Sequence, residues 1–459
     1  MKNKATIVLL SLCVFIIHIT APFNKVWGQT IKNAPSPFAH PAWSEQSNVY
    51  EVNLRQFSAS SSIKEFEKSL PRLKKMGVEI LWFMPITPIG ILGRKMTSTD
   101  MGSYYSVRDY KAVNPEFGTL SDWKHLVKAA HGLGLKVITD WVPNHTAPDN
   151  PWMKSHPAFY KTDSLGNTVY DADYTDTRNL SYESKELRDS MIAVMKWWVT
   201  ETGIDGFRCD HVDPIPLDFW TACIDSLKKV KNVFMLAESE NPALHTVGFD
   251  ATYAWKEMWA TVEVAKGKQQ VNFLDSIINS RLAIFPASAY RLYFTTNHDE
   301  NSWNGTEFEK YGAAYKAFAV FTQTMFQSVP LIYNGQEVPN KQRLKFFTHD
   351  PIKWEGFTMA PFYSTLLHLR RNNPALAADA TYKKLATGND MAIFAYVRQK
   401  AGHKIVVILN LSNEPQRFTI DDISIVGTPR NIFQGGNDHL TATHVFNMQP
   451  WDYIIYQYR

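Results

Sequence analysis

The chain has 459 residues and a formal net charge of +4 at pH 7, and 13% of its residues are aromatic. Removing the first 28 residues deletes three lysines and no acids and lowers the charge to +1, so no basic excess for nucleic-acid binding remains. Its three cysteines are too few for a disulfide framework, so a hydrophobic core has to provide the stability.

The N-terminal segment, residues 1–28, is typical of a secretory signal peptide. Lys2 and Lys4 precede an apolar stretch at residues 7–20, and a cleavage region follows at residues 26–28. The stretch is shorter than the roughly 20 residues that a membrane span needs. The sequence therefore predicts a secreted or periplasmic protein, with no membrane span in the mature chain.

Strand-like runs recur along the chain and predict an α/β fold, an eight-stranded (β/α)8 TIM barrel. The candidate strand ends are Val52, Met84, Asp140, Asp210, Glu238, Tyr253, Asn297 and Asn334. A bare barrel needs about 250 residues, so additional structure is required. We predict a barrel at 29–380 with an inserted loop at about 141–180, and a C-terminal antiparallel β-sandwich domain at 381–459.

Four short segments place an acid at the end of an apolar run. They are Asp140-Trp-Val-Pro-Asn144-His145, Gly206-Phe-Arg208-Cys-Asp210, Leu236-Ala-Glu238 and Thr296-Asn-His298-Asp299. Asp210 and Glu238 are 28 residues apart, the length of one β/α unit, which predicts neighbouring parallel strands about 4.8 Å apart. Barrel enzymes carry their chemistry at the C-terminal strand ends, so these acids are predicted to share one site.

These segments, in this order, resemble those of the α-amylase family of glycoside hydrolases. Further matches are the Gly-Ser-Tyr-Tyr-Ser-Val-Arg-Asp-Tyr segment at 102–110 and Leu-Ile-Tyr-Asn-Gly-Gln-Glu at 331–337. The resemblance covers most of the chain. It implies that Asp210 is the nucleophile, Glu238 the general acid/base and Asp299 a transition-state stabiliser, with Tyr105 a platform under the reacting sugar.

The residue types suit glycosidic cleavage with retention, which needs one attacking carboxylate and one proton-donating carboxyl group. Crowding of three acids should make Glu238 keep its proton more readily than an isolated glutamate. Arg208 lies on the same strand face as Asp210 and should favour its ionised form. His145 and His298 are predicted to bind sugar hydroxyls. We accordingly group Tyr105, Arg208 and both histidines as substrate-binding residues.

Each residue taken alone has a simpler explanation. A single aspartate after a strand is more often a helix cap or a loop residue. His145 and His298 are as easily explained as buried histidines bonded to the backbone, and Tyr105 as a core residue. The combination of motifs favours a site.

The sequence departs from the family pattern beyond the nucleophile. Asp213 and Pro214 stand where many family members have Lys-His, so contacts to the leaving group must differ. His211 either narrows or polarises the floor of the site or has a structural role. Tryptophans at three loop positions are candidate walls for sugar subsites, namely Trp152, Trp303 and Trp354.

The resemblance also implies a structural calcium site that uses Asn144 and an aspartate of the inserted loop. The matching loop segment, residues 178–182, has no carboxylate in the expected places, which weakens binding of a hard cation. We therefore expect no required cofactor, with a bound calcium ion as the alternative, and assign no metal ligands. Cys209 and Cys223 are expected to be buried free thiols, although a bridge between them is the alternative.

The sequence thus predicts a retaining α-glucan hydrolase acting on α-1,4 bonds in starch or maltooligosaccharides. The alternatives are an α-glucanotransferase or a cyclomaltodextrinase- or neopullulanase-like enzyme, since a sugar hydroxyl can replace water at the same intermediate. A non-catalytic glucan-binding relative is a further alternative, but it has no reason to keep all three acids.

Overall fold

The computed structural model describes residues 38–95 and 100–458. The predicted signal peptide lies outside the described residues. None of the helices in the described ranges is long and apolar enough to cross a membrane.

The strands, in chain order, form a barrel sheet, a small hairpin and a C-terminal β region. They are β1 Val49–Val52, β2 Ile80–Phe83, β3 Lys136–Trp141, β4 His145–Thr146, β5 Arg178–Asn179, β6 Gly206–Cys209, β7 Phe234–Ala237, β8 Ala251–Tyr253, β9 Tyr290–Leu292, β10 Leu331–Tyr333, β11 Thr381–Leu385, β12 Ile393–Lys400, β13 His403–Asn410, β14 Gln416–Thr419, β15 Arg430–Asn431, β16 Val445–Met448 and β17 Tyr453–Tyr458.

The barrel sheet has eight parallel strands, in the order β10-β1-β2-β3-β6-β7-β8-β9. A bridge between Arg291 and Ser328 and a bond of 2.8 Å from the Leu331 amide to the Tyr293 carbonyl link its two edge strands. The predicted (β/α)8 barrel is confirmed. The seventh strand ends at Leu292 rather than near Asn297, because its partner β8 ends at Tyr253, opposite Leu292.

Helices surround the barrel and alternate with its strands. They are α1 Leu54–Phe57, α2 Ile63–Glu67, α3 Leu70–Met76, α4 Leu120–Gly132, α5 Trp152–Ser155, α6 Lys185–Thr202, α7 Leu217–Lys228, α8 Ala243–Thr246, α9 Trp255–Ala265, α10 Phe273–Leu282, α11 Glu307–Tyr311, α12 Tyr315–Thr324 and α13 Ala360–Asn372.

Helix α6 shows how the sequence sets these elements. The Ser184 hydroxyl accepts from the Leu187 amide and caps the first turn, and Gly203 ends the helix with φ +76°. Buried side chains at helical spacing, including Leu187, Met191 and Met195, face the barrel. The chain then enters β6, which carries Asp210 at its end.

The inserted loop leaves the barrel after β3 and returns before α6. Its ends are joined by the antiparallel pair β4 and β5, in which His145 lies opposite Asn179. This pairing holds the insertion, predicted at about 141–180, over one side of the barrel mouth.

The C-terminal sheet is antiparallel, with the order β11-β12-β13-β17-β15, and a second two-stranded sheet is formed by β14 and β16. Side chains along β12 alternate between the two faces of this sheet. Phe394 and Tyr396 belong to the barrel core, whereas Ile393 and Ala395 pack in a separate C-terminal cluster. The sheet begins at Thr381. The boundaries 29–380 and 381–459 stay a prediction.

Cys209 and Cys223, the cysteines of the described ranges, are buried and not joined by a disulfide. Cys223 lies on α7, where its Sγ contacts Met195 Sδ at 3.5 Å. Burial raises the pKa of both thiols. They pack as small apolar side chains.

Candidate active site

A cleft of about 640 Å³ opens at the C-terminal ends of the barrel strands. Five of the residues predicted from the sequence line it, namely Tyr105, His145, Asp210, Glu238 and Asp299. Arg208 and His298 are buried beneath them. All seven predicted residues therefore converge on one place.

Strands β6 and β7 bring Asp210 and Glu238 side by side. Cys209 pairs with Ala237 in parallel register, and the Glu238 amide donates to the Cys209 carbonyl at 2.9 Å. Gly206 begins β6 because a Cβ at this position would lie 1.9 Å from the Phe234 carbonyl oxygen. The prediction that the two acids follow neighbouring strands is confirmed.

Arg208 is fully buried and joins three acids. Its Nη1 lies 2.9 Å from both Asp140 Oδ1 and Asp210 Oδ1, and its Nη2 lies 3.0 Å from Glu238 Oε1. Its Nε donates to the Tyr253 hydroxyl at 3.1 Å. Because its donors face carboxylates, we assign Arg208 to positioning the acids instead of the predicted sugar contact.

Glu238 is held by its neighbours in a form suited to proton donation. Burial raises its pKa and the negative charge of Asp210 adds to this effect, while Arg208 opposes it. The expected upward shift is therefore present, but burial is a larger cause than the predicted crowding of acids. Glu238 Oε2 also accepts a bond of 2.8 Å from the His211 backbone amide.

His211 adopts an unusual backbone conformation directly after Asp210. Its φ of +42° lies in the left-handed region, which costs free energy for a residue with a Cβ. This conformation aims its amide at Glu238, while its exposed side chain lines the cleft. His211 thus acts on the site through its backbone as well as its ring.

A hydrogen-bonded chain crosses the barrel beneath the third acid. His298 Nδ1 lies 2.5 Å from Glu51 Oε1, and its Nε2 lies 2.7 Å from the Tyr105 hydroxyl and 3.4 Å from Asp299 Oδ2. Burial lowers the pKa of His298, but the negative charges of Asp299 and Glu51 outweigh it and raise the pKa to about 9. His298 is thus positively charged at neutral pH.

The Tyr105 ring, predicted to be a sugar platform, lines the cleft. It stacks on His298 with 5.7 Å between ring centroids, and its hydroxyl also donates to Asp140 Oδ2 at 3.2 Å. The ring is therefore fixed before any ligand arrives. His298 supports this ring from below, and both of its ring nitrogens contact protein groups. Its predicted sugar contact stays a prediction.

Glu51 is a site residue that the sequence reasoning missed. It is fully buried in β1, and its Oε2 has no hydrogen-bond partner among the described residues. Burying an acid inside an otherwise apolar strand costs free energy unless the acid is paired. The position of Glu51 between Tyr50 and Val52 was therefore the sequence signal that could have identified it. Asp140, whose segment was recognised, likewise acts here as a partner of Arg208.

We expect Glu51→Gln to lower kcat on a maltooligosaccharide about 10- to 100-fold, since a hydrogen bond to a charged group contributes about 1.5–3 kcal/mol. Without the Glu51 charge the pKa of His298 falls, so His298 should lose its proton at a lower pH. NMR titration of the His298 ring measures this shift. An unchanged titration, in a variant with the wild-type circular dichroism spectrum, would limit Glu51 to packing.

His145 lines the wall of the cleft that the inserted loop forms. Burial and the nearby charge of His211 lower its pKa to about 4. Its Nε2 is buried without a hydrogen-bond partner in the part of the chain that the structure describes. A neutral imidazole with an unused ring nitrogen is suited to the predicted bond with a sugar hydroxyl.

The three candidate tryptophans have different positions. Trp303 lines the cleft. Trp152 instead packs against Tyr110 and Phe159, with ring centroids 5.1 and 5.4 Å away, and Trp354 packs against Phe57 at 4.6 Å. The prediction for Trp152 and Trp354 was wrong: neither lines the cleft, and both are partly buried and packed against the barrel core.

A family model described as the alpha amylase catalytic domain matches residues 63–174 and 169–361. The chain belongs to the α-amylase family. It is 26% identical to α-amylase MalA of Haloarcula japonica over 83% of this chain and 58% of that one, and 24% identical to α-amylase 2 of Dictyoglomus thermophilum over 91% and 77%. The chain thus spans less than two thirds of the MalA length.

Other relatives of this α-amylase-family enzyme carry different names. It is 23% identical to an α-1,4-glucan:maltose-1-phosphate maltosyltransferase of Methylacidiphilum infernorum over 83% of this chain and 61% of that one. Among solved structures, the noncanonic maltogenic α-amylase AmyB of Thermotoga neapolitana has a TM-score of 0.81 and 27% identity, covering 90% of this chain and 99% of that one. The family is thus established, but the names of these relatives include both hydrolases and transferases.

The family's calcium site can be compared with the groups around Asn144. Asp171 of the inserted loop lies beside it, and its two carboxyl oxygens accept bonds of 3.3 Å from the Asn144 amide and 2.8 Å from the Asn179 amide. Within residues 38–95 and 100–458, no group of three or more His, Cys, Asp or Glu is placed to hold a metal ion. One carboxylate already bonded to two amides does not fit a calcium ion.

Asp213, one of the two departures from the family pattern after the nucleophile, has a structural role. Asp213 Oδ1 accepts a bond of 2.6 Å from the Ser239 hydroxyl, which follows Glu238. The residue that replaces the usual lysine therefore ties the loop after β6 to the loop after β7. That contacts to the leaving group differ from those of other family members stays a prediction.

Proposed function

We propose that this enzyme is a retaining hydrolase of α-1,4-glucosidic bonds in starch-like polymers or maltooligosaccharides. The observation that carries the proposal is that Asp210 and Glu238 end neighbouring strands and contact one guanidinium group, that of Arg208. Retaining glycosidases hold their carboxyl groups about 5–5.5 Å apart, whereas inverting enzymes leave room for a water between them. Acids that share one guanidinium group suit the retaining arrangement.

In the first step, Asp210 attacks the anomeric carbon and the bond to the leaving oxygen breaks. Glu238 gives its proton to that oxygen, so the leaving sugar departs as a neutral alcohol. Arg208 Nη1 lies 2.9 Å from Asp210 Oδ1 and orients this carboxyl group, and the raised pKa of Glu238 favours its protonated form. Asp299 faces the positive charge that develops on the sugar ring.

In the second step, Glu238 takes a proton from water and the resulting hydroxide attacks the anomeric carbon of the glycosyl–Asp210 ester. The ester bond breaks, and the carboxylate of Asp210 is restored. Two displacements at one carbon return the α configuration. The same residue serves first as acid and then as base.

The charge of the cleft supports a neutral sugar substrate. Seven carboxyl side chains line it, against the cations Arg94 and Lys95, and Lys95 pairs with Asp173. A phosphorylated donor such as maltose 1-phosphate brings negative charge into this acidic field and is repelled. The charge therefore favours hydrolysis of neutral α-glucans over the transfer activity in the maltosyltransferase names.

Transfer between glucans is the second candidate, because a sugar hydroxyl can replace water in the second step. The test is to incubate the purified protein with maltoheptaose, amylose or pullulan, and with maltose 1-phosphate plus glycogen. Shorter maltooligosaccharides support the hydrolase, and products longer than the substrate support transfer. Turnover only with maltose 1-phosphate, or binding of glucans without turnover, overturns the proposal.

We further propose that the enzyme acts outside the cytoplasm, because residues 1–28 have the basic, apolar and cleavage regions of a signal peptide. The test is expression of the full chain in a Gram-negative host, followed by cell fractionation and N-terminal sequencing. A periplasmic or secreted protein that begins near residue 29 supports export. A cytoplasmic protein that retains residues 1–28 contradicts it.

A further inference from the structure

Glu240, two residues after the acid Glu238, contacts two arginines on the side of the barrel wall that faces away from the cleft. Its Oε1 accepts bonds of 3.2 Å from Arg291 Nη2 and 3.3 Å from Arg281 Nη2. The Lys256 amide donates to the same oxygen at 3.2 Å. Arg281 Nη2 also lies 3.4 Å from the Glu240 carbonyl oxygen. Three nitrogen donors thus converge on one carboxyl oxygen.

The two arginines are fixed by regular elements and by a second acid. Arg291 belongs to β9 and Arg281 to α10, and both are buried. Their guanidinium carbons lie 3.9 and 4.8 Å from the centroid of the Phe285 ring. Arg291 Nη2 donates to Glu257 Oε2 of α9 at 3.3 Å. We define Glu240, Glu257, Arg281 and Arg291 as the rear charge cluster, in which two cations are paired with two acids, as buried charges require.

Glu240 is the member of the rear charge cluster that lies in a loop. Residues 238–242 connect β7 to α8 and carry the acid Glu238 as their first residue. On the opposite side of this loop, Ser239 is held by its bond to Asp213. The cluster therefore fixes the loop relative to β9 and α10, which do not move with it.

We propose that Glu240, held by Arg281 and Arg291, is a positioning residue that keeps Glu238 within reach of the leaving oxygen. The proposal rests on the function proposed above. Glu240 does not line the cleft, so it acts through the backbone of the loop and not on the sugar. A proton donor has to lie within hydrogen-bond distance of its acceptor, and a displacement of about 1 Å can lower a rate about 100-fold. A loosened loop should therefore weaken proton donation more than sugar binding.

The test compares two substrates of Glu240→Ala that differ in their need for a proton. Maltoheptaose releases a sugar, which has to be protonated, whereas chloronitrophenyl α-maltotrioside releases an acidic phenol, which does not. We expect kcat/KM to fall about tenfold for maltoheptaose and to stay within about twofold for the phenyl glycoside. Glu240→Gln should recover part of the loss, because its amide oxygen still accepts bonds from the arginines.

Glu257 provides a matched control, because it contacts the same arginines but lies on α9. Glu257→Ala should lower the temperature of thermal unfolding and leave the ratio of the two kcat/KM values unchanged. Arg281→Lys keeps the positive charge and loses the fork of donors, so it should give the selective loss at a smaller size. This milder variant decides the question if Glu240→Ala does not fold.

A second readout does not depend on turnover. The His211 amide donates to Glu238 Oε2, so Glu240→Ala should speed its exchange with deuterium about threefold or more, measured by NMR of protein with isotope-labelled histidine. Equal losses of kcat/KM for both substrates, no loss for either, or unchanged exchange would overturn the positioning role. A wild type that turns over neither substrate, with faster exchange in Glu240→Ala, would instead overturn the proposed hydrolase and leave the positioning of Glu238 supported.

Discussion

Replacing Asp210 by asparagine is expected to lower kcat on maltoheptaose by about 10⁴-fold or more, since loss of a nucleophile removes the covalent step itself. Asparagine has nearly the same shape but no charge, so it cannot form the glycosyl ester. The rate of release of reducing ends measures the effect. Binding of maltoheptaose should persist, because the platform and walls of the cleft are unchanged.

The matched control for this variant is Asp225→Asn, a partly exposed aspartate of α7 that pairs with Lys229. It should retain wild-type kcat. Circular dichroism and thermal unfolding of both variants test for a general loss of structure. Retention of substantial activity by Asp210→Asn, in protein free of wild-type contamination, would remove Asp210 from the role of nucleophile.

Replacing Glu238 by glutamine is expected to lower kcat on maltoheptaose by about 10²–10⁴-fold, the contribution of general acid–base catalysis. A substrate with an acidic phenol as leaving group needs no proton in the first step. The variant should therefore release one equivalent of phenol in a burst and then turn over slowly, because the base for water is also missing. Stopped-flow absorbance measures the burst.

The pH dependence provides a second test of Glu238. Activity requires its protonated form in the first step, so kcat/KM should fall as the pH rises through the pKa of this group. Burial raises that pKa, so the fall should begin above the pKa of an ordinary glutamate, about 4.3. Glu186→Gln, an exposed site on α6, should keep the wild-type profile. An alkaline limb that persists in Glu238→Gln would assign it to another group.

The convergence of the acids was predictable from the sequence because spacing along a β/α barrel determines strand order. One unit separates Asp210 from Glu238, and the register of β6 and β7 leaves little freedom in where the two acids lie. The inserted loop was predictable because Asp140 and Asp210 are 70 residues apart, about twice the length that one β/α unit needs. The C-terminal sheet was predictable because its strands combine apolar and β-branched runs with turn residues.

Other features depend on contacts between distant residues. Glu51 meets His298 across 247 positions, and no spacing rule relates them. Asp171 reaches Asn144 through the path of the inserted loop. Whether a loop tryptophan packs against the outside of the core, as the partly buried Trp152 does, or lines the cleft, as Trp303 does, is determined by packing partners that a local pattern does not contain.

The central claim is that Asp210 and Glu238 act as nucleophile and acid/base in a double displacement. Proton NMR of the first products of maltoheptaose cleavage, recorded before mutarotation, tests it most directly. We predict that the new reducing ends appear first as the α-anomer and that the β-anomer accumulates only later by mutarotation. Initial release of the β-anomer would contradict a retaining mechanism and with it the role assigned to Asp210.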